Sequence, residues 1–180
     1  MGSVVINGTA TFCNETIFKW ALYAAATALC FFVQFALLQR FTLLGVIPFI
    51  YPVAVAAAST YELPVSATVF SLAAGVVCDL LLPESIPCFY TLVFPLVGLC
   101  ASLISQSWLS AGFLCTLVTS ALAFLFTGGF HCFLLWSQGK IAWGTAAALI
   151  GREMLVSVVL LTIPVTILYR AVHRRAHRND

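Results

Sequence analysis

A chain of 180 residues, 62% hydrophobic and 8% charged, departs strongly from a soluble domain, in which roughly 25% of residues are charged. Its net charge of +2 and lack of a basic stripe with interleaved aromatics exclude a nucleic-acid-binding module. The composition defines an all-α polytopic membrane protein.

Apolar runs of about 20 residues can cross a hydrocarbon core. On that measure a single transmembrane domain of six helices is predicted, over Ile17–Gln39, Leu43–Thr60, Leu63–Leu82, Ile86–Ser105, Leu109–Trp136 and Ile141–Tyr169. The breaks are short: Arg40–Thr42, Tyr61–Glu62, Pro83–Ser85, Gln106–Ser107 and Ser137–Lys140.

The first helix has no basic n-region and no A-x-A cleavage pattern, so it is expected to remain as a helix rather than leave as a signal peptide. Ile6 stands where N-myristoylation requires Ser or Thr. Two sequons, Asn7–Thr9 and Asn14–Thr16, matter only for a lumenal N-terminus. In the second span Pro48 and Pro52, with Pro64 beyond it, interrupt the pattern. A re-entrant or broken second helix is the alternative, and its freed backbone groups must then find partners inside the protein.

In lipid, helices associate through close contact of small residues, because burying apolar surface gains little against apolar tails. The third span carries Ala67, Ser71, Gly75 and Asp79 at steps of four, a small-residue ridge that ends in a carboxylate. The fifth repeats the pattern with Ala111, Cys115, Thr119, Ala123, Thr127 and then His131. The first offers Ala21/Ala25 and Ala24/Ala28, and the fourth Gly98/Ser102 and Ala101/Ser105. Such ridges predict a compact bundle of closely approaching backbones. The sixth span runs into the basic tail YRAVHRRAHRND, a topology anchor drawn to anionic head groups.

With six spans, Lys19, Arg170, Arg174, Arg175 and Arg178 fall on one side and Arg40 and Lys140 on the other. The positive-inside rule then places both termini in the cytoplasm. In this topology Asp79, His131, Arg152 and Glu153 arrive at a similar depth near the outer surface. Asp79 stands near the C-terminus of its helix, where the dipole disfavours a carboxylate, so it does not cap its own helix. Two readings stand side by side. Either Asp79 pairs with Arg152 across the bundle, with His131 and Glu153 nearby, or each group reaches interfacial water independently.

Enzyme signatures do not assemble: there is no H-E-x-x-H, G-x-S-x-G, P-loop or pair of carboxylates on one helix. The seven cysteines lie in or beside apolar helices without C-x-x-C and read as small hydrophobes rather than metal or redox groups. No cofactor is expected.

The stretch Leu43–Ser105 resembles the bacterial rod shape-determining protein MreD family. The matching residues are GVIPF (Gly45–Phe49), GVVCDLLL (Gly75–Leu82, a G-x-x-x-D pattern) and YTLVFPLVGLCAS (Tyr90–Ser102). The last helix, REMLVSVVLLTIPVTILYRAVHRR, is similar in its proline and basic end. The turn LPESIPC departs from the glycine-containing turn frequent in the family, and the cysteine content is unusual. The resemblance implies a non-enzymatic scaffold in the bacterial inner membrane that supports cell shape and sidewall peptidoglycan synthesis. Its implied partners are a bitopic MreC-like protein and, through that complex, MreB filaments, a SEDS glycosyltransferase and a transpeptidase. The family has no catalytic residues to transfer, which leaves Asp79, Arg152, Gly75, His131 and Glu153 as structural or partner-binding candidates. The pattern is also similar to the substrate-binding S components of energy-coupling-factor vitamin transporters, six-helix proteins of this size. For those, the first-helix alanines would be a docking face, and the outer layer of Asp79, His131, Trp143 and Arg152 a ligand site. A small membrane enzyme is the third class.

Overall fold

The computed structural model describes residues 3–42, 45–82, 88–139 and 143–176, with side chains from Ile17 onward except Ala146. The Pro83–Ser85 turn, Lys140 and Arg178 lie outside these residues, as do the side chains of Cys13 and the two sequons. The elements are α1 (Ser3–Ala36), a 3-10 turn (Leu38–Arg40), α2 (Tyr51–Ser59), α3 (Pro64–Leu81), α4 (Phe89–Ser107), α5 (Phe113–Ser137) and α6 (Trp143–Ala176). Five of them, α1 and α3–α6, contain stretches long and apolar enough to span a membrane. Large side chains such as Phe32, Val65, Leu80 and Leu92 point outward at 68–79% exposure, a cost in water and none in lipid. The chain is an all-α, multi-pass membrane bundle.

The second element differs from the continuous helix expected over Leu43–Thr60. Residues 47–50 are non-helical, and the helix begins only at Tyr51 with Pro52 in its first turn, where a missing N–H costs nothing. The broken-helix alternative is therefore the observed one. All nine residues of α2 are buried, with Ala54, Ala56, Ala57 and Ala58 at 0–1% exposure. This alanine-rich rod is slender enough for α1, α3, α4, α5 and α6 all to pack against it. A helix buried on every side has no amphipathic period.

The non-helical run carries amide groups that lipid cannot satisfy. Gln34 on α1 meets two of them: its Nε2 donates to the Pro48 carbonyl at 3.1 Å and its Oε1 accepts from the Ile50 N–H at 2.9 Å. Ser157 Oγ on α6 accepts from the Phe49 N–H at 3.0 Å. At the far end of α2, Ser105 Oγ donates to the Thr60 carbonyl and Ser102 Oγ to the Glu62 carbonyl, each at 2.6 Å. The segment thus runs from the Arg40 end of α1 to its Lys19 end, held at both ends by side chains from other helices.

The α3–α4 hairpin is the most extensive helix pair, and the small-residue ridge lies in its seam. Ala67 and Ser71 are fully buried. A Cβ on Gly98 would collide with the Ser71 side chain and come within 3.0 Å of the Ala67 carbonyl. Ser71 Oγ donates to that carbonyl at 2.7 Å and lies 3.1 Å from Ser59 Oγ, joining α2 to the hairpin. The α5 ridge is likewise buried at Cys115, Thr119, Ala123 and Thr127. The α1 alanines are not: Ala21, Ala24, Ala25 and Ala28 are exposed. In α1 the same spacing of four marks a lateral face, not the bundle interior.

Candidate functional site

Two polar layers, one at each end of the bundle, contain the acidic and basic side chains among the described residues. At the Arg40 end, Asp79 lies in the last turn of α3, facing the start of α4. Its Oδ1 accepts from the Tyr90 N–H at 2.9 Å. Its Oδ2 accepts from the Thr91 N–H at 2.8 Å and from the Thr91 hydroxyl at 2.5 Å. Tyr90 and Thr91 are the second and third residues of α4, whose flanking Cys88 adopts left-handed backbone geometry (φ 61°) and contributes no side-chain cap. Helix N-termini leave their first N–H groups without intrahelical acceptors. A carboxylate there satisfies two donors and meets the favourable end of the dipole. Asp79 therefore caps the N-terminus of α4 from the preceding helix, in place of a side chain at the N-cap position.

Of the two readings of this layer, the pairing with Arg152 is not what the described residues show. No Asp79–Arg152 ion pair forms; both Asp79 oxygens are engaged by α4, and Arg152 is exposed on α6. Both readings looked to a charged partner or to water, whereas the donors are two backbone N–H groups and the Thr91 hydroxyl. Gly75, one turn before Asp79, belongs to the same contact. A Cβ there would lie 2.6 Å from the Tyr90 carbonyl oxygen and 2.9 Å from Thr91 Cα. The G-x-x-x-D pattern thus has a mechanical meaning. Glycine admits the first turn of α4, and the aspartate one turn on ties it down.

Tyr90, fixed by that cap, packs its ring 6.0 Å from Phe49 and 5.1 Å from Phe89, and Phe89 lies 5.8 Å from the His131 ring. His131 and Glu153 line one small cavity of about 40 Å³ with Phe49, Phe89 and Tyr90. The structure therefore groups four of the five candidates in two linked pairs, Gly75 with Asp79 and His131 with Glu153. Arg152 stands apart. A space of this size holds water, while small-molecule sites occupy about 300–1,000 Å³. The six described cysteines are free, and Cys30, Cys78, Cys115 and Cys132 are buried.

The opposite layer was not anticipated. Lys19 Nζ lies 2.9 Å from the Glu62 carboxylate, whose side chain is 5% exposed against 24% for the lysine. Next to it Tyr23 Oη lies 3.3 Å from His173 Nδ1, Thr27 Oγ1 lies 3.0 Å from Tyr169 Oη, and the Tyr61 and His173 rings are 5.2 Å apart. These contacts bind α1, the α2–α3 turn and the end of α6. Burial raises the Tyr61 phenol above its ordinary value, opposed by the positive charges of Arg170 and Arg174. The available signal was parity: Lys19, the Tyr61–Glu62 break and the last arginines fall on the same side of a six-pass chain.

Removing one partner of a buried ion pair costs about 3–5 kcal/mol, because the remaining charge stays unpaired. Lys19→Met is expected to fall at the lower end of that range, since the lysine is partly exposed. Adding Glu62→Gln should recover part of the loss. Chemical unfolding of the four proteins in detergent gives the cycle. Strictly additive losses would show that the two groups do not depend on each other.

Comparison with protein-family models, curated proteins and solved structures gives no match. The functional reading rests on the residues themselves.

Proposed function

We propose that this chain is a non-catalytic membrane scaffold that works through its lateral helix faces. Within that class we propose a rod shape-determining protein of the MreD kind, a component of the machinery that elongates the bacterial sidewall. The observation that carries the reading is the use made of Asp79. The one carboxylate in the G-x-x-x-D pattern is engaged in holding α4 against α3. Gln34, Ser157, Ser102 and Ser105 are likewise engaged with backbone. The cavity beside His131 and Glu153, about 40 Å³, is too small for a vitamin.

The surface offers more to a partner helix than the interior does to a ligand. Between α1 and α3, from Trp20 and Phe70 at one end to Phe31 and Val77 at the other, runs an apolar lateral groove of about 400 Å³. Ala24 and Ala28 form one wall and Ala73 and Ala74 the other. Small residues at such spacing admit close approach of another transmembrane helix. An MreC-like bitopic protein is the partner this reading assigns to the chain, with MreB filaments, a SEDS glycosyltransferase and a transpeptidase joined through it.

For orientation, Lys19, Arg170, Arg174 and Arg175 share one end and Arg40 and Arg152 the other; following the positive-inside rule, the proposal assigns both termini to the cytoplasm of a bacterial inner-membrane protein with six passes. The reading includes a likeness to the S-component type of bundle in helix number alone.

Purification from the native cell in mild detergent, with mass spectrometry of proteins and small molecules, tests the proposal. Recovery of an MreC-like protein without a vitamin is expected. A stoichiometric vitamin or an energising ATPase complex would overturn it in favour of a transporter S component.

A further inference from the structure

The exposed face of α6 changes character along its length. Ile163 and Ile167 are exposed at 53% and 64%, and Arg170 and Arg174 continue the same stripe one and two turns on. At about 100° per residue these four positions fall within a narrow sector of the helix. Arg175 lies on the far side of Ala171, and Ile167, Arg170, Ala171, Arg174 and Arg175 together line an open cleft of about 480 Å³. Ala171 is exposed and forms the floor. Its methyl group keeps the space between the guanidinium groups open.

Depth and charge say what belongs there. The Tyr61–His173 contact sets this part of α6 level with the α2–α3 turn, at the end of the bundle. The arginines therefore sit at the membrane surface, while Ile163 and Ile167 lie within the hydrocarbon. The nearest described carboxylate, Glu62, is buried against Lys19, and none of the three arginines forms an ion pair among the described residues. Residues four apart on a helix hold their Cβ atoms about 5–6 Å from each other, close enough for two guanidinium groups to grip one phosphate by charge-assisted hydrogen bonds.

We propose that Arg170, Arg174 and Arg175, around Ala171, form a binding site for the phosphate head group of an anionic phospholipid whose acyl chain lies along Ile167 and Ile163. A built site differs from diffuse attraction of a basic tail in depending on shape. Diffuse attraction follows total charge alone.

Native mass spectrometry of the full chain, taken from membranes of mixed phosphatidylglycerol and phosphatidylcholine, separates the two. The wild-type protein is expected to retain phosphatidylglycerol selectively. Arg170→Gln/Arg174→Gln should lower retention about tenfold or more, and the charge-neutral Ala171→Leu should lower it comparably by filling the cleft. Ala171 and the arginines are exposed, so melting temperature should stay at the wild-type value in both variants. Full retention by Ala171→Leu alongside loss in the arginine variant would overturn the site in favour of diffuse attraction. Displacement of the lipid by millimolar inorganic phosphate would overturn the lipid assignment in favour of a soluble anion.

Discussion

Asp79→Ala is expected to destabilise the bundle by about 1–3 kcal/mol, the cost of leaving buried donors at a helix N-terminus without an acceptor. Asp79→Asn, which keeps an acceptor oxygen near Tyr90 and Thr91, should lose less. Arg152→Ala should stay within about 0.5 kcal/mol of wild type, as exposed substitutions do. The contrast matters because a cross-bundle ion pair would make Asp79→Ala and Arg152→Ala comparably damaging. The buried thiols supply the readout. Cys78 and Cys115 are both at 0% exposure, so their reaction with a maleimide dye during heating in detergent reports loss of packing. Cys78 sits next to Asp79 in α3, and it should become reactive first in Asp79→Ala if the α3–α4 seam is what opens. Equal melting of all three variants would remove the cap from any role in stability.

The long helices were legible because apolar length is a one-dimensional signal. The breaks near Tyr61, Gln106 and Ser137 all fall within a few residues of observed helix ends. The α3 ridge was legible too, since small residues at steps of four are rarely accidental before a carboxylate in an apolar run. What escaped has a common physical cause. The partners of Asp79 are backbone N–H groups of Tyr90 and Thr91, which every residue but proline carries and no side-chain pattern announces. The length of α2 escaped because residues 48–58 are apolar throughout and buried or half-buried in both their extended and helical parts, so periodicity cannot divide them. The α1 alanines show the converse limit. Their spacing matches that of α3, yet Ala24 and Ala28 line an open groove while Ala67 and Ser71 are fully enclosed. Spacing identifies a face suited to close approach; it does not say whether this chain or another supplies the second surface.

Gln34→Leu is expected to have the largest effect of any single substitution, about 2–5 kcal/mol, since it strands two buried backbone groups at once. Gln34 is 3% exposed, and its amide holds the Pro48 carbonyl and the Ile50 N–H with its two ends. Leucine fits the volume and would be benign on a lipid-facing position. The loss would therefore measure the hydrogen bonds rather than packing. Gln34→Glu separates the two ends of the amide. A carboxylate still accepts from Ile50 but turns an oxygen toward the Pro48 carbonyl, so its ionised form is disfavoured twice, by that contact and by burial. Protonated, the same group donates to Pro48 and restores both bonds. The folded-state pKa of this glutamate should lie above its unfolded value of about 4.3. Its favourable contribution is then complete below that value and is lost as pH rises through the folded-state pKa. Gln34→Glu should accordingly approach wild-type stability near pH 4 and fall behind it toward pH 8, with Gln34→Leu impaired equally at both. A pH-independent Gln34→Glu would mean that the Pro48 carbonyl finds another donor and that α2 can break here without α1. If the expected dependence appears, one amide in α1 is what allows the central segment of this bundle to be half extended and half helical inside a membrane.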